Sequence, residues 1–235
     1  NTGCVPSKAL IRSSRIKSYL DRSREFGIEA GMVSTNFPAV MRRVRSVIEA
    51  IEPHDSVERY TTLGVDCVQG DARITSPWTV EVNDRSISTR SIVIASGGRP
   101  AVPPIPGLDT VGYITSDTLW ELEQLPARLL VLGGGAIGCE LAQAFRRLGS
   151  EVTIVEMLPR LLTIEDPEVS IEIEAAFRLD GIDVKTGCRA TGFIFENEQP
   201  VLLCSDANQE HRIPFDKVLV ATGRKGNSEG IGIEA

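Results

Sequence analysis

Two stretches of the chain set reactive or ligand-cradling residues at informative spacings. The first is Asn1-Thr2-Gly3-Cys4-Val5-Pro6-Ser7-Lys8. Pro6 suits the first turn of a helix that continues through Ile11, Ile16 and Leu20, so Cys4 falls at the helix N-terminus. There the helix dipole and free N–H groups stabilise a thiolate, the reactive form of cysteine. Lys8, one turn further on, adds a positive charge where the dipole disfavours it, so its position asks for another explanation. On these residues alone, a buried structural cysteine and a solvated lysine stand as equal alternatives.

The second stretch is Arg128–Met157. Leu129–Leu132 reads as a short apolar strand, and Gly133, Gly135 and Gly138 follow in G-x-G-x-x-G spacing. Ile137, Leu141, Ala144 and Phe145 then recur at helical spacing up to Gly149, and Val152–Val155 forms a second strand. That strand closes on Glu156, 18 positions after Gly138. Strand, glycine turn, helix, strand and acid in this order make the dinucleotide-binding fingerprint. Gly133 permits the tight turn, Gly135 lets the backbone approach a pyrophosphate, and Gly138 lets helix and strand pack closely. Glu156 would accept hydrogen bonds from both adenine-ribose hydroxyls and repel a 2′-phosphate, which favours NAD over NADP. Arg160 keeps a partner for a 2′-phosphate within reach.

The elements around these stretches repeat one plan. Asp166-Pro167-Glu168 predicts a helix start with a capping aspartate, and the helix runs to about Asp180 and stops at Gly181. Strand-like runs follow at Ile182–Lys185, Gly192–Glu196, Val201–Cys204 and Lys217–Ala221, the last leading into Thr222-Gly223-Arg224. Upstream, Leu63–Val68 resembles Asp180–Lys185, and Ser91–Gly97 resembles Lys217–Gly223, which points to an internal duplication. The second copy begins with a glycine fingerprint and the first has none, so the chain reads as a piece of a larger enzyme whose first strand and glycine loop are cut away. The proline-dense stretch Arg99–Gly107 between the copies predicts a stiff extended crossing between domains.

Composition narrows the function classes. With 25 Lys and Arg against 32 Asp and Glu, the net charge of −7 offers no electrostatic footprint for nucleic acid. Hydrophobic residues at 42% and charged residues at 24% describe a globular chain, and no apolar run is long enough to span a bilayer. Five scattered cysteines suggest a reducing compartment, hence the cytoplasm. His54, in a helical stretch with Val44, Val47, Ile48 and Ile51, reads as a surface or turn residue, as does His211. Cys67, Cys188 and Cys204 lack CxxC spacing and read as buried small hydrophobes rather than metal ligands, and Cys139 as a packing residue of the fingerprint helix. Trp78 and Trp120 are expected to be local core anchors.

The Asn1–Lys8 motif, the Ala95–Pro106 stretch, the Gly133–Glu156 fingerprint and the Ala221–Arg224 motif occur in the order found in flavin-dependent pyridine-nucleotide disulfide oxidoreductases. The chain resembles that family over essentially its whole length, on the branch of dihydrolipoamide dehydrogenase and mercuric reductase. Glu140–Phe145 is more similar to mercuric reductase, and Gly133-Gly134-Gly135 with Glu156 to dihydrolipoamide dehydrogenase. The resemblance implies bound FAD and NAD, with Cys4 as the flavin-proximal thiol of a redox pair whose partner lies outside this sequence. It implies that Lys8 lies beside the flavin and pairs with Glu140, and that Ala72, Ser96 and Gly97 contact FAD. It assigns Gly133, Gly134, Gly135, Ala136, Ile137, Gly138, Cys139, Glu140, Glu156 and Gly223 to the NAD site. Electrons would pass between nicotinamide, flavin and the cysteine pair, with a small-molecule or protein-bound disulfide or dithiol as substrate. Ala136 stands where some relatives carry a tyrosine lid, and Ser96 replaces the more usual threonine. The family's first FAD fingerprint and its C-terminal interface domain, through which the parent would form a homodimer, are not in this sequence.

The expected fold is therefore α/β: a partial FAD-binding domain over 1–118 and a Rossmann-like NAD-binding domain over 119–235, each with a parallel sheet and a β-meander. Two alternatives stand beside the reductase: mercuric ion as electron acceptor, or a dinucleotide-binding module without turnover.

Overall fold

The computed structural model describes residues 3–234, which form a mixed α/β fold. Helices α1 (Cys4–Asp21), α2 (Phe37–Ile51) and α3 (Val57–Thr62) open it. Strands β1 (Ala72–Ser76), β2 (Thr79–Val82), β3 (Arg85–Ser88) and β4 (Gly98–Pro100) precede the short helix α4 (Leu108–Val111) and strand β5 (Ile114–Thr115). The remainder runs β6 (Arg128–Leu132), α5 (Ala136–Leu148), β7 (Glu151–Val155), α6 (Pro167–Asp180) and β8 (Asp183–Lys185). It ends with β9 (Arg189–Glu196), β10 (Gln199–Ser205), β11 (Glu210–Pro214), β12 (Lys217–Val220) and β13 (Arg224–Gly226). The chain divides into two compact units, Asn1–Glu49 with Pro100–Gly223, and Ala50–Arg99 with Arg224–Ala235.

The first unit is built on a five-stranded parallel sheet in the order β5-β12-β6-β7-β8. Leu129 to Leu132 are all buried, as a parallel strand covered on both faces requires. The chain steps outward from β6 through α5 to β7 and through α6 to β8. It then returns by β12 to the other side of β6, which makes β6 the point where the direction of winding reverses. One apolar cluster joins Leu129, Val131, Val152 and Ile154 to Leu10 of α1, Met41 of α2, Phe145 of α5 and Phe177 of α6. The Phe37 and Phe145 rings lie 6.0 Å apart at 45° within it. A second cluster joins Leu130, Val218 and Val220 to the antiparallel meander β9-β10-β11, where Phe193 and Phe215 meet edge to face at 5.8 Å.

Helix ends follow the sequence signals with one exception. Gly149 and Gly181 close α5 and α6 at φ values of +123° and +75°. Pro167 opens α6 as expected, but Asp166 makes no side-chain capping bond. Proline at the first helical position has no N–H that needs a partner, and Glu168 brings negative charge to the first turn. The proline connector belongs to the first unit over Pro103–Pro106 and lies along β9, where the Phe193 N–H donates to Pro106 O at 2.8 Å.

The second unit holds α3, the antiparallel sheet β1-β2-β3, and β13 alongside β4. Ser91–Gly97, the run that resembles β12 and its turn, forms no strand, and Val93 and Ile94 are 88% and 53% exposed. Trp78 is 61% exposed, so it is not the core anchor its type suggests: it sits in the turn between β1 and β2, two strands that bury only Val82. Trp120 is buried, and its Nε1 donates to Ser116 O at 2.8 Å. Cys67 is half-buried outside any strand, whereas Cys188 and Cys204 are buried as expected. Among the described residues, no helix is long and apolar enough to cross a membrane.

Candidate functional site

The C-terminal ends of β12, β6 and β7 lie side by side, and each runs into one of the expected motifs. β6 leads into Gly133-Gly134-Gly135 and the start of α5, β7 into Glu156, and β12 into Ala221-Thr222-Gly223. Ligands of open α/β sheets bind in this crevice, where the winding reverses.

The glycines occupy positions that other residues could not share. Gly133 has φ +110°, and a Cβ there would come within 2.5 Å of Ala221 O. A Cβ on Gly138 would lie 2.1 Å from Gly133 O, which is the close helix–strand approach expected of the third fingerprint glycine. Gly135 is the opposite case, with no atom within 4 Å of a notional Cβ. The space in front of it is open, and the first-turn amides of α5 (Ala136, Ile137, Gly138) have no acceptor within the helix by position. Open space beside helix N-terminal amides suits a phosphate group.

The turn is held from behind by a dense set of hydrogen bonds. The Gly133 N–H donates to Val155 O at 2.9 Å and the Gly134 N–H to Glu156 Oε2 at 2.6 Å. Gly134 O in turn accepts from the Leu162 N–H at 2.9 Å and from Cys139 Sγ at 3.3 Å. Burial, with smaller contributions from Glu156, Glu140 and Glu174, pushes the Cys139 thiol up to about 12. It remains a neutral donor and props the loop. Glu156 Oε1 accepts from the Leu158 N–H at 2.7 Å, so each carboxylate oxygen keeps one lone pair for a further donor.

Arg160 has a role that no spacing revealed. Its Nη1 donates to Glu165 O at 3.0 Å and Ser170 Oγ at 2.7 Å, and its Nη2 to Thr163 O at 2.9 Å. It braces the loop after β7, whose Leu162 N–H supports Gly134. Apart from Ser170 Oγ its partners are backbone carbonyls, which leave no trace in residue types.

At the start of α1, Cys4 is exposed, which sets aside the buried structural cysteine. Asn1 and Thr2 of its motif lie outside the described residues. Ala9 and Leu10 of α1 pack in one cluster with Leu141 and Phe145 of α5. That packing brings the Lys8 ammonium to 2.7 and 2.6 Å from the two Glu140 oxygens, across 132 residues of sequence. Lys8 is therefore paired, not simply solvated. Both side chains are about half exposed (57% and 45%), so the pair contributes orientation more than stability.

Gly223, with φ +127°, is pinned through its own carbonyl, which accepts from the Ala101 N–H at 2.9 Å. Thr222 Oγ1 donates to Ala101 O at 2.7 Å. The remaining expected positions, Ala72, Ser96 and Gly97, belong to the second unit. Ala72 opens β1, the Ser96 hydroxyl donates to Asn227 O at 2.6 Å, and Gly97 has φ +72°. Among the described residues, no group of three or more His, Cys, Asp and Glu side chains could hold a metal ion.

Comparison with known proteins agrees with this geometry. The family model "Pyridine nucleotide-disulphide oxidoreductase" matches residues 1–235. A mercuric reductase of Staphylococcus aureus is 33% identical over 236 residues, which cover 100% of this chain and 43% of that protein. A dihydrolipoyl dehydrogenase of Thermus scotoductus is 30% identical over 251 residues, covering 100% of this chain and 51% of that one. Among solved structures, the Cu(II) complex of the HOCl-induced flavoprotein disulfide reductase RclA from Escherichia coli superposes with a TM-score of 0.79 at 26% identity. It covers 100% of this chain and 49% of that one. The chain thus spans about half the length of the relatives it matches.

Proposed function

Because the chain belongs to the pyridine nucleotide-disulphide oxidoreductase family, we propose that it carries the nucleotide site and flavin-proximal thiol of an FAD-dependent NADH:disulfide oxidoreductase. The observation that supports this most is the Lys8–Glu140 pair, which ties the cysteine-bearing helix to the second turn of the fingerprint helix. A thiol, a cation and a nucleotide-binding turn then stand on neighbouring helices of one unit.

Each group has a task in this reading. The open face at Gly135 and the α5 amides bind the pyrophosphate, and Glu156 accepts from the ribose hydroxyls with its remaining lone pairs. Arg160 is committed to backbone carbonyls, so a 2′-phosphate would meet a carboxylate without a free guanidinium. That favours NAD over NADP. FAD, when bound, supplies the two-electron relay between nicotinamide and thiol. Lys8 holds a fixed positive charge near that relay, and Glu140 keeps it aimed. Cys4, exposed at the start of α1, is the flavin-proximal thiol of the cysteine pair, and that pair serves the sulfur substrate, a small or protein-bound disulfide or dithiol. Mercuric ion is a second candidate acceptor, supported by the 33% identity to a mercuric reductase.

Titration of the chain with NADH and NADPH, followed by tryptophan fluorescence, tests the nucleotide assignment. NADH is expected to saturate, to bind about tenfold tighter than NADPH, and to lose about 100-fold in affinity in Gly135→Val, which fills the open face. Equal affinity for the two nucleotides would remove Glu156 as the discriminating group. An unaffected Gly135→Val would remove the glycine turn from the site.

A further inference from the structure

Helix α6 has one face that the fold uses and one that it leaves bare. Ser170 and Phe177 are buried, and Phe177 and Ile173 join the apolar cluster of the first unit. On the same side, Glu174 Oε1 accepts from the Leu161 N–H at 3.4 Å, and Asp180 pairs with Arg147 of α5 at 3.0 Å. The opposite face carries Ile171, Glu172, Ala175, Arg178 and Leu179, all exposed. With 3.6 residues per turn, these five fall within about a third of the helix circumference. Ile171 and Leu179 are 66% and 90% exposed, on a face that surface helices ordinarily make polar. The Glu172 carboxylate and the Arg178 guanidinium have no ion-pair partner among the described residues.

The pattern of this face is a palindrome. Ala175 stands at its centre, Glu172 and Arg178 three residues to either side, and Ile171 and Leu179 four. Two copies of α6 laid antiparallel and crossing at Ala175 therefore set Glu172 opposite Arg178 of the second copy, and Ile171 opposite its Leu179. Each match occurs twice, as a two-fold contact requires. The small side chain of Ala175 lets the two helix axes approach closely at the crossing. A parallel arrangement would set Glu172 against Glu172 and Arg178 against Arg178, so charge selects the antiparallel one. The outer face of α1 differs in this respect. It carries Arg12 and Arg15 beside Ile16 and Tyr19, all exposed, and two such faces repel.

We propose that the outer face of α6 is a self-association surface, through which two copies of this chain pair antiparallel about Ala175. The contact is closed, so association stops at the dimer. It is also small. A helix of 14 residues is about 21 Å long, and two of them bury less than the roughly 1,600 Å² of a standard interface. Half-dissociation is therefore expected on the order of 100 µM chain. None of this depends on the nucleotide reading.

Sedimentation equilibrium of the 235-residue chain, from about 10 µM to about 1 mM, reads the association. A monomer–dimer equilibrium is expected, and a chain that stays monomeric throughout overturns the proposal. Glu172→Arg and Arg178→Glu each turn both symmetry-related attractions into repulsions, and each is expected to weaken the dimer about tenfold. The double variant, Glu172→Arg with Arg178→Glu, keeps the net charge and restores both pairs, so its affinity is expected within about twofold of the parent. A double variant as weak as the single ones would rule out the antiparallel register. Leu179→Ser is expected to abolish the dimer and to leave the melting curve of the monomer unchanged, since Leu179 is exposed in the free chain. Melting curves of the charge variants report that they fold, and Glu172→Gln and Arg178→Gln carry the comparison should a reversed charge unfold the helix. A dimer that Arg12→Glu weakens, while the α6 variants leave it intact, would seat the contact on α1 and overturn the assignment.

Discussion

The runs Lys217–Gly223 and Ser91–Gly97 resemble each other in sequence, and the molecule treats their two halves differently. Their last residues behave alike. Thr222 donates its hydroxyl to Ala101 O and Gly223 O accepts the Ala101 N–H. Ser96 donates its hydroxyl to Asn227 O and Gly97 O accepts the Asn227 N–H. Both glycines sit at positive φ, +127° and +72°. The upstream residues diverge. Lys217–Val220 pairs on both sides, with β5 and β6, and Leu219 is fully buried. Ser91–Ala95 has no ladder among the described residues, and Val93, at the position of Leu219, is 88% exposed. A hydroxyl–glycine turn needs one backbone partner, supplied from 121 residues away for Thr222 and 131 for Ser96. A buried parallel strand exists only through neighbours on both edges and layers on both faces.

The sharpest way to break this comparison is to truncate the matched positions. Leu219→Ala is expected to cost about 3 kcal/mol, and Val93→Ala less than about 0.5 kcal/mol, by denaturant unfolding of each variant. A comparable loss from Val93→Ala would show that the first copy is packed in solution like the second.

An intermediate effect lies in alkali. Burial pushes the Cys139 and Cys204 thiols up to about 12, from an ordinary value near 9.0. The unfolded chain gives up these protons first, so stability is intact below about pH 9 and drains as pH rises toward 12. Melting temperature followed over that window should fall less steeply in Cys139→Ala than in the parent chain. Parallel slopes would mean that the thiol ionises freely in the folded state. The smallest effect sharpens the likeness of the two turns. Ser96→Ala and Thr222→Val are each expected to cost about 1 kcal/mol or less, the loss of one hydrogen bond to a carbonyl. Unequal losses, read by the same unfolding assay, would show that the shared turn is not energetically shared.

What could be read from residues alone follows a division between local and non-local. Gly133, Gly138, Gly149 and Gly181 are legible because a turn or close approach constrains the residue type at one position. Strands β6, β7 and β12 are legible because each carries a run of branched, mostly apolar residues after a charged first position and sits beside its motif. The bare state of Ser91–Ala95 was not legible, since an apolar run states what it would bury and not whether a partner is present. The exposure of Trp78 was hidden for the same reason. The type of Arg160 and its distance from Glu156 leave open a contact with a 2′-phosphate. Its actual partners, Thr163 O, Glu165 O and Ser170 Oγ, depend on a loop path that no periodicity encodes. The Lys8–Glu140 contact spans 132 residues, and only the resemblance to a family suggested it.

That long-range contact has a consequence during synthesis. Helix α1 leaves the ribosome well before α5, and at 5–20 residues per second the interval is roughly 6 to 25 seconds. Throughout it, the Ala9 and Leu10 face has no α5 to cover it, and the Cys4 thiol is present in a chain that is not yet able to build its nucleotide turn. An emerging α1 is therefore a natural client for a holding chaperone, and its thiol is open to oxidation before the fold that uses it exists.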